Sequence, residues 1–107
     1  MGKSQRDKGA RYEREVVNQL KSWGVVAHRV PLSGAVEGYD DDVVVEADAG
    51  DLRIECKRRK KLPAYFTNYL QDTGIVATRS DGGQTMWLLS NETMRRLVLA
   101  YVNREEL

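Results

Sequence analysis

Residues 42–57, Asp-Val-Val-Val-Glu-Ala-Asp-Ala-Gly-Asp-Leu-Arg-Ile-Glu-Cys-Lys, alternate apolar and charged side chains on both sides of a turn of small residues. Successive strand residues point to opposite faces, so the segment reads as a half-buried hairpin. With Ala49-Gly50 as a two-residue turn, Gly50 supplies the positive φ such turns use. That register sets Val43 opposite Cys56, Val45 opposite Ile54 and Ala47 opposite Leu52 on one face. The other face pairs Asp42 with Lys57, Val44 with Glu55 and Glu46 with Arg53. Only Val44 breaks the sorting. A slip of one residue would turn the charges into the core, so the pattern allows this register or one an even step away.

The charged face is where chemistry is expected. Glu55 and Lys57 share it by their spacing, and Asp42 lies roughly 5–8 Å away across the ladder. Two carboxylates at that range can share a hard divalent cation through oxygen ligands, with water completing the shell. The alternative is a solvated face of cross-strand salt bridges, which Glu46 with Arg53 fits.

Residues 8–23 read as a helix stopped at Gly24. Glu13 falls in the apolar stripe of Val16, Val17 and Leu20, while Glu15 points elsewhere. Burying an unpaired carboxylate is costly, so Glu13 calls for a metal or a basic group beside it. Alternatively it is a boundary acid favoured by the helix dipole.

A formal net charge of +1 hides strong segregation. Residues 37–55 hold eight of the 16 acids against one base, Arg53, and Lys57-Arg58-Arg59-Lys60-Lys61 follows at once. Lys3, Arg6, Lys8, Arg11 and Arg14 make the N-terminal stretch basic. An acidic cluster between basic segments suits an enzyme that grips a polyanion and concentrates metal at the bond to be cut. Five consecutive bases taken alone fit a solvated strand end equally well.

A chain of 107 residues suits one domain with a modest core, and 41% hydrophobic with 31% charged residues is an ordinary globular balance. There is no run of ~18 apolar residues to span a membrane, and the N-terminus lacks the apolar stretch of a secretory signal. Arg6 stands where a myristoylation signal has Ser or Thr. Cys56 is the only cysteine, which excludes an internal disulfide and fits a reducing, cytoplasmic setting. It is expected to be buried. One histidine and one cysteine do not make a zinc site.

Further along, Val25–Val30 reads as a strand and residues 31–39 as a loop of small residues. Pro63 opens a helix to about Thr73 that stops at Gly74. Ile75–Thr78 and Thr85–Leu89 form a second hairpin around Asp81-Gly82-Gly83. Ser90 or Asn91 caps a last helix to about Arg104. The order α-β-β-β-α-β-β-α implies an α/β fold with a mixed sheet covered by helices. Residues 1–7 are either ordered or a flexible basic arm.

Asp42 followed thirteen residues later by Glu55-x-Lys57 resembles the PD-(D/E)xK nuclease superfamily. Four stretches in order resemble more closely the archaeal-type Holliday junction resolvases, which also occur in phages: Lys8-Gly-Ala-Arg-Tyr-Glu13-Arg-Glu15, Arg29-Val-Pro-Leu-Ser33-Gly34, Asp42-Val-Val-Val and Ile54-Glu-Cys-Lys-Arg58. They span roughly residues 8–61. That family usually carries Pro before its catalytic Asp, whereas Asp41 stands here; parity turns Asp41 to the apolar side and Asp40 lies one pair further out, which favours Asp42 as the ligand.

The resemblance implies a restriction-endonuclease-like fold with a five-stranded mixed sheet. It also implies Mg²⁺-dependent hydrolysis of DNA at four-way junctions, Mn²⁺ being an alternative ion. Glu13, Asp42, Glu55 and Lys57 would be catalytic, the three acids holding metal and Lys57 stabilising charge on the phosphate. Arg29 and Ser33 match positions that contact the DNA backbone or support the site, and both side chains can donate to phosphate. Lys8, Arg11, Arg14, Arg58, Arg59, Lys60 and Lys61 would add backbone contacts. Two symmetric incisions by a one-site chain imply a C2 homodimer. Stripes on the last helix (Met94, Leu97, Val98, Tyr101; Leu99, Val102) or Phe66, Tyr69 and Leu70 would supply its surface.

The residues also fit another small nuclease of the superfamily, acting in nicking or repair, or a non-catalytic nucleic-acid-binding domain on the same fold. His28 reads as an ordinary strand residue. Trp23, Trp87 and Phe66 are expected in a core or interface rather than as base-stacking platforms.

Overall fold

The computed structural model describes residues 3–30 and 42–104. The loop expected at 31–39, with Ser33 and Gly34, and the alternative ligands Asp40 and Asp41 lie outside the described residues. The chain divides into two compact units, Met1–Arg58 with Tyr101–Leu107, and Arg59–Ala100.

The first unit begins with α1 (Lys3–Ser22), which starts ahead of the expected residue 8. It ends as its glycine signal required: Trp23 and Gly24 N–H donate to Leu20 and Lys21 carbonyls (3.0 and 2.9 Å), and Gly24 adopts φ 89°. Three strands follow, β1 (Ala27–Arg29), β2 (Val43–Val45) and β3 (Leu52–Ile54), paired antiparallel in the order β1-β2-β3. α1 packs on β1 and β2. Val17, Leu20, Val25, Ala27, Val43, Val44 and Val45 are buried. Val44, expected among the charged side chains, is buried because β2 is the central strand with a neighbour on each side.

The hairpin register differs from the expected one by two residues. Val43 pairs with Ile54 rather than Cys56, and Val45 with Leu52 rather than Ile54. The turn closes earlier because Gly50 N–H donates to Ala47 O (3.0 Å), leaving Asp48-Ala49 as its central residues. Ala47 N–H is taken by the Asp51 carboxylate at 3.1 Å, so a side chain completes the hairpin end. Gly50, at φ 132°, carries the unusual backbone conformation beside the turn rather than within it. The slip is even, so the sorting of the faces survives. Tyr101, which belongs to this unit, donates its hydroxyl to Gly50 O at 2.6 Å.

In the second unit, α2 (Ala64–Thr73) packs on the hairpin of β4 (Ile75–Thr78) and β5 (Met86–Leu89). Pro63 is the residue before the helix, and Phe66 N–H bonds its carbonyl (3.0 Å). Gly74 ends α2 in the left-handed region (φ 75°), its N–H on Leu70 O. Gly83 N–H to Ser80 O (3.0 Å) closes the β4–β5 turn, with Gly82 at φ 70°. Ser90 caps α3 (Asn91–Val102): its hydroxyl accepts Thr93 N–H at 3.2 Å.

The expected single five-stranded mixed sheet is not what the described residues show. The strands pair as a three-stranded and a separate two-stranded sheet, and every pairing is antiparallel. Sequence order shows which segments are extended, but non-local hydrogen bonds decide which strands join.

Candidate active site

A break in the β2–β3 ladder shapes the site. Asp42 N–H donates to Ile54 O (3.0 Å), although Ile54 already faces Val43. Two residues of one strand thus oppose one of its neighbour, the arrangement of a β-bulge, which re-aims the side chain it carries. The Asp42 carboxylate turns along β3 and accepts Cys56 N–H at 2.7 Å. Amides alternate in direction along a strand, so Cys56 N–H points the same way as that of Ile54. The bulge leaves that donor to the carboxylate, in a charge-assisted bond. Asp42 is therefore anchored on the backbone of Cys56 and not set opposite Lys57.

Glu13 approaches from α1. It lies one turn before Val17, which is buried, and its own side chain is only 15% exposed. The partner its position demanded is Arg29 of β1, whose Nε lies 3.2 Å from Glu13 Oε1. The Arg29 guanidinium here holds a carboxylate.

Glu13 and Asp42 line one open cleft of about 420 Å³ with Lys8, Gly9, Cys56, Lys57 and Arg58. Glu55 is not part of that wall. Its Oε1 lies 3.3 Å from Lys57 Nζ, and both side chains are largely exposed. Glu55 therefore touches the cleft only through Lys57. Lys8 and Arg58 have no ion-pair partner among the described residues, and neither do Arg59, Lys60 and Lys61, which are exposed and belong to the second unit. Arg11 and Arg14 are exposed on α1.

Cys56 is half-buried, not fully buried as its strand parity suggested. Its thiol is pushed up to about 11, first by burial and then by the charges of Asp42 and Glu13. The thiol thus stays protonated at neutral pH, and its shift registers both carboxylates close by.

Two carboxylates, two ammonium groups and a guanidinium on one cleft suit a hard cation together with a phosphate. Among the described residues no group of three or more His, Cys, Asp or Glu side chains is placed to cage a metal. Mg²⁺ does not need such a cage: it commonly takes one or two carboxylates, several waters and a substrate phosphate. Glu13 and Asp42 fit that requirement.

Sequence reasoning missed three features of the site. The Glu13–Arg29 pair joins residues far apart in the chain, and Cys56 entered the wall through the bulge. Gly9 had a signal, because a glycine inside a helix costs about 1 kcal/mol against Ala and usually has a reason. It leaves the helix wall bare between Lys8 and Glu13.

The sequence model of a family described as phage putative PDDEXK endonuclease matches residues 4–79. The chain belongs to that family. The match spans Glu13, Asp42, Glu55 and Lys57 together, and it makes the chain a nuclease of the PD-(D/E)xK superfamily. Comparison with curated proteins and with solved structures gave no match. No helix among the described residues is long and apolar enough to cross a membrane.

Proposed function

We propose that this PD-(D/E)xK family member is a Mg²⁺-dependent endodeoxyribonuclease acting on four-way DNA junctions as a homodimer. One observation carries the proposal: Glu13, Asp42 and Lys57 line a single cleft beside Lys8 and Arg58, bases with no ion-pair partner among the described residues. Glu13 and Asp42 would hold the ion, which when bound polarises a phosphate oxygen and acidifies a water. Arg29 fixes the Glu13 carboxylate, and the Cys56 amide fixes that of Asp42, so neither must reorganise when the ion arrives. Lys57, oriented by Glu55, offsets the negative charge that grows on the phosphate. Lys8 and Arg58 hold neighbouring phosphates, and Arg59, Lys60 and Lys61 of the second unit supply phosphate contacts of their own. Glu55 lies outside the cleft wall with one oxygen on Lys57, and so serves here as a positioning residue.

Junction specificity rests on the resolvase-like stretches around Lys8, Arg29 and Asp42, and the dimer on the need for two related incisions. A family named for phage supports an enzyme made by a virus and acting in the host cytoplasm.

The test is purified protein with Mg²⁺ on four-way, nicked and linear duplexes. Paired symmetric cuts confined to the junction, abolished by Asp42→Asn, are expected, with Mn²⁺ able to replace Mg²⁺. Cutting of all duplexes alike leaves only the broader nuclease assignment. Binding without any cut refutes catalysis. Light scattering at micromolar concentration should give twice the 12.2 kDa chain mass.

A further inference from the structure

Tryptophan usually hides most of its surface, yet Trp87 on β5 is 67% exposed. The register explains which side it faces. Trp87 pairs with Ala77 and Leu89 with Ile75, so these four share one face of the β4–β5 hairpin. The opposite face packs on α2, where Tyr65 shares a hydrogen bond of 2.8 Å with Thr78, although Met86 at its end stays 67% exposed. On the open face Ile75 is 44% exposed, and the small Ala77 leaves the indole ring unobstructed. Alternation carries Arg79, one residue beyond β4, to this same face, diagonal to Trp87. Arg79 is exposed and has no ion-pair partner among the described residues.

The chemistry selects the occupant. An open indole beside an unpaired guanidinium can stack a planar base and hold its phosphate. The second unit holds six bases against three acids, and Arg95 and Arg96 are already bound to Glu92. The excess cations are thus Arg59, Lys60, Lys61 and Arg79. A second copy of the chain would bring the same positive charge to the contact, which opposes self-docking on this face. We propose that Trp87 and Arg79 form a stacking site for an unpaired base of the DNA substrate, a contact outside the cleaving cleft that rests on the DNA-cleaving reading. Such a site takes a base only where the strand is opened, since regular duplex keeps its bases stacked inside.

The test uses the full chain in EDTA, so that cleavage plays no part, with a labelled oligothymidylate as probe. Trp87→Ala should weaken binding about five- to hundred-fold, the range that base–aromatic stacking gives on alanine substitution. Trp87→Phe should retain most of the affinity, and Arg79→Gln should weaken binding and flatten its salt dependence. In a Trp23→Phe chain, where Trp87 is the sole indole, the oligonucleotide should quench the emission. Unchanged affinity of Trp87→Ala overturns the proposal, as does a change in molecular mass in place of affinity, which would make the face a self-association surface. The two readings fail separately. Loss of all Mg²⁺-dependent cutting with oligonucleotide affinity intact removes only the nuclease mechanism, whereas normal junction cutting with unaltered binding in Trp87→Ala removes only the stacking site.

Discussion

Asp42 has two tasks, and two substitutions separate them. Its carboxylate holds Cys56 N–H at 2.7 Å and thereby completes the bulge that places it in the cleft. A hydrogen bond to a charged group contributes about 1.5–3 kcal/mol net. Both residues are part-buried, so water recovers some of that loss when the carboxylate is removed. Removing one of two neighbouring negative charges also relieves Glu13. Asp42→Ala should therefore cost about 1–2 kcal/mol. Asp42→Asn keeps an oxygen acceptor for the amide and relieves the same repulsion, so it should stay within about 0.5 kcal/mol of the parent. Urea denaturation monitored by circular dichroism measures both, and an unchanged m value shows that the comparison is sound. Hydrogen exchange of the Cys56 amide should accelerate in the Ala chain and not in the Asn chain. Neither variant should cut DNA. Equal stability of the two would refute the anchoring role, and cleavage by the Asn chain would refute the role in the cleft.

Glu13 and Arg29 should couple: in a double-mutant cycle of Glu13→Gln and Arg29→Met, a half-exposed charged hydrogen bond gives about 1 kcal/mol, and a coupling indistinguishable from zero would argue against it. Gly74→Ala should destabilise by about 1–2 kcal/mol from its left-handed backbone alone. The added Cβ would also meet Thr93 Oγ1 at 2.6 Å, so a second change, Thr93→Ala, should recover part of the loss in thermal melts. Glu92 is held down at about 2 from an ordinary 4.5, first by its hydrogen bond from Arg95. A depressed carboxyl adds stability above its unfolded value and loses it as pH falls, so this contribution should fade between about 4.5 and 2. A side-chain carbon titration by NMR should place Glu92 near 2 and show it climbing toward 4.5 in Arg95→Gln; an unmoved midpoint would contradict the pairing.

Much of the local structure was legible because it is encoded locally. The alternation around Val43–Val45 and Leu52–Ile54 separates the faces in any even register. Gly24 and Gly74 stop helices because only glycine takes their backbone conformation without strain, and Ser90 caps α3 with its own hydroxyl. Glu13 stood out as an acid among Val16, Val17 and Leu20, and its need for a partner followed from the cost of burying charge. The family's acid and lysine residues were likewise visible as a spacing, from Asp42 to Glu55 and Lys57.

Tertiary structure decided what spacing could not. Parity admits several registers, and the choice among them fell to the Ala47–Gly50 and Ala47–Asp51 bonds that close the turn. The bulge that turns Asp42 onto Cys56 and the reach of Arg29 to Glu13 each depend on segments far apart in the chain meeting within the first unit. A side chain's face is set by its own backbone, and so it can be read from the sequence. Its partner is set by a segment elsewhere in the chain, and that pairing emerges only when the competing hydrogen bonds of the whole ladder are satisfied together.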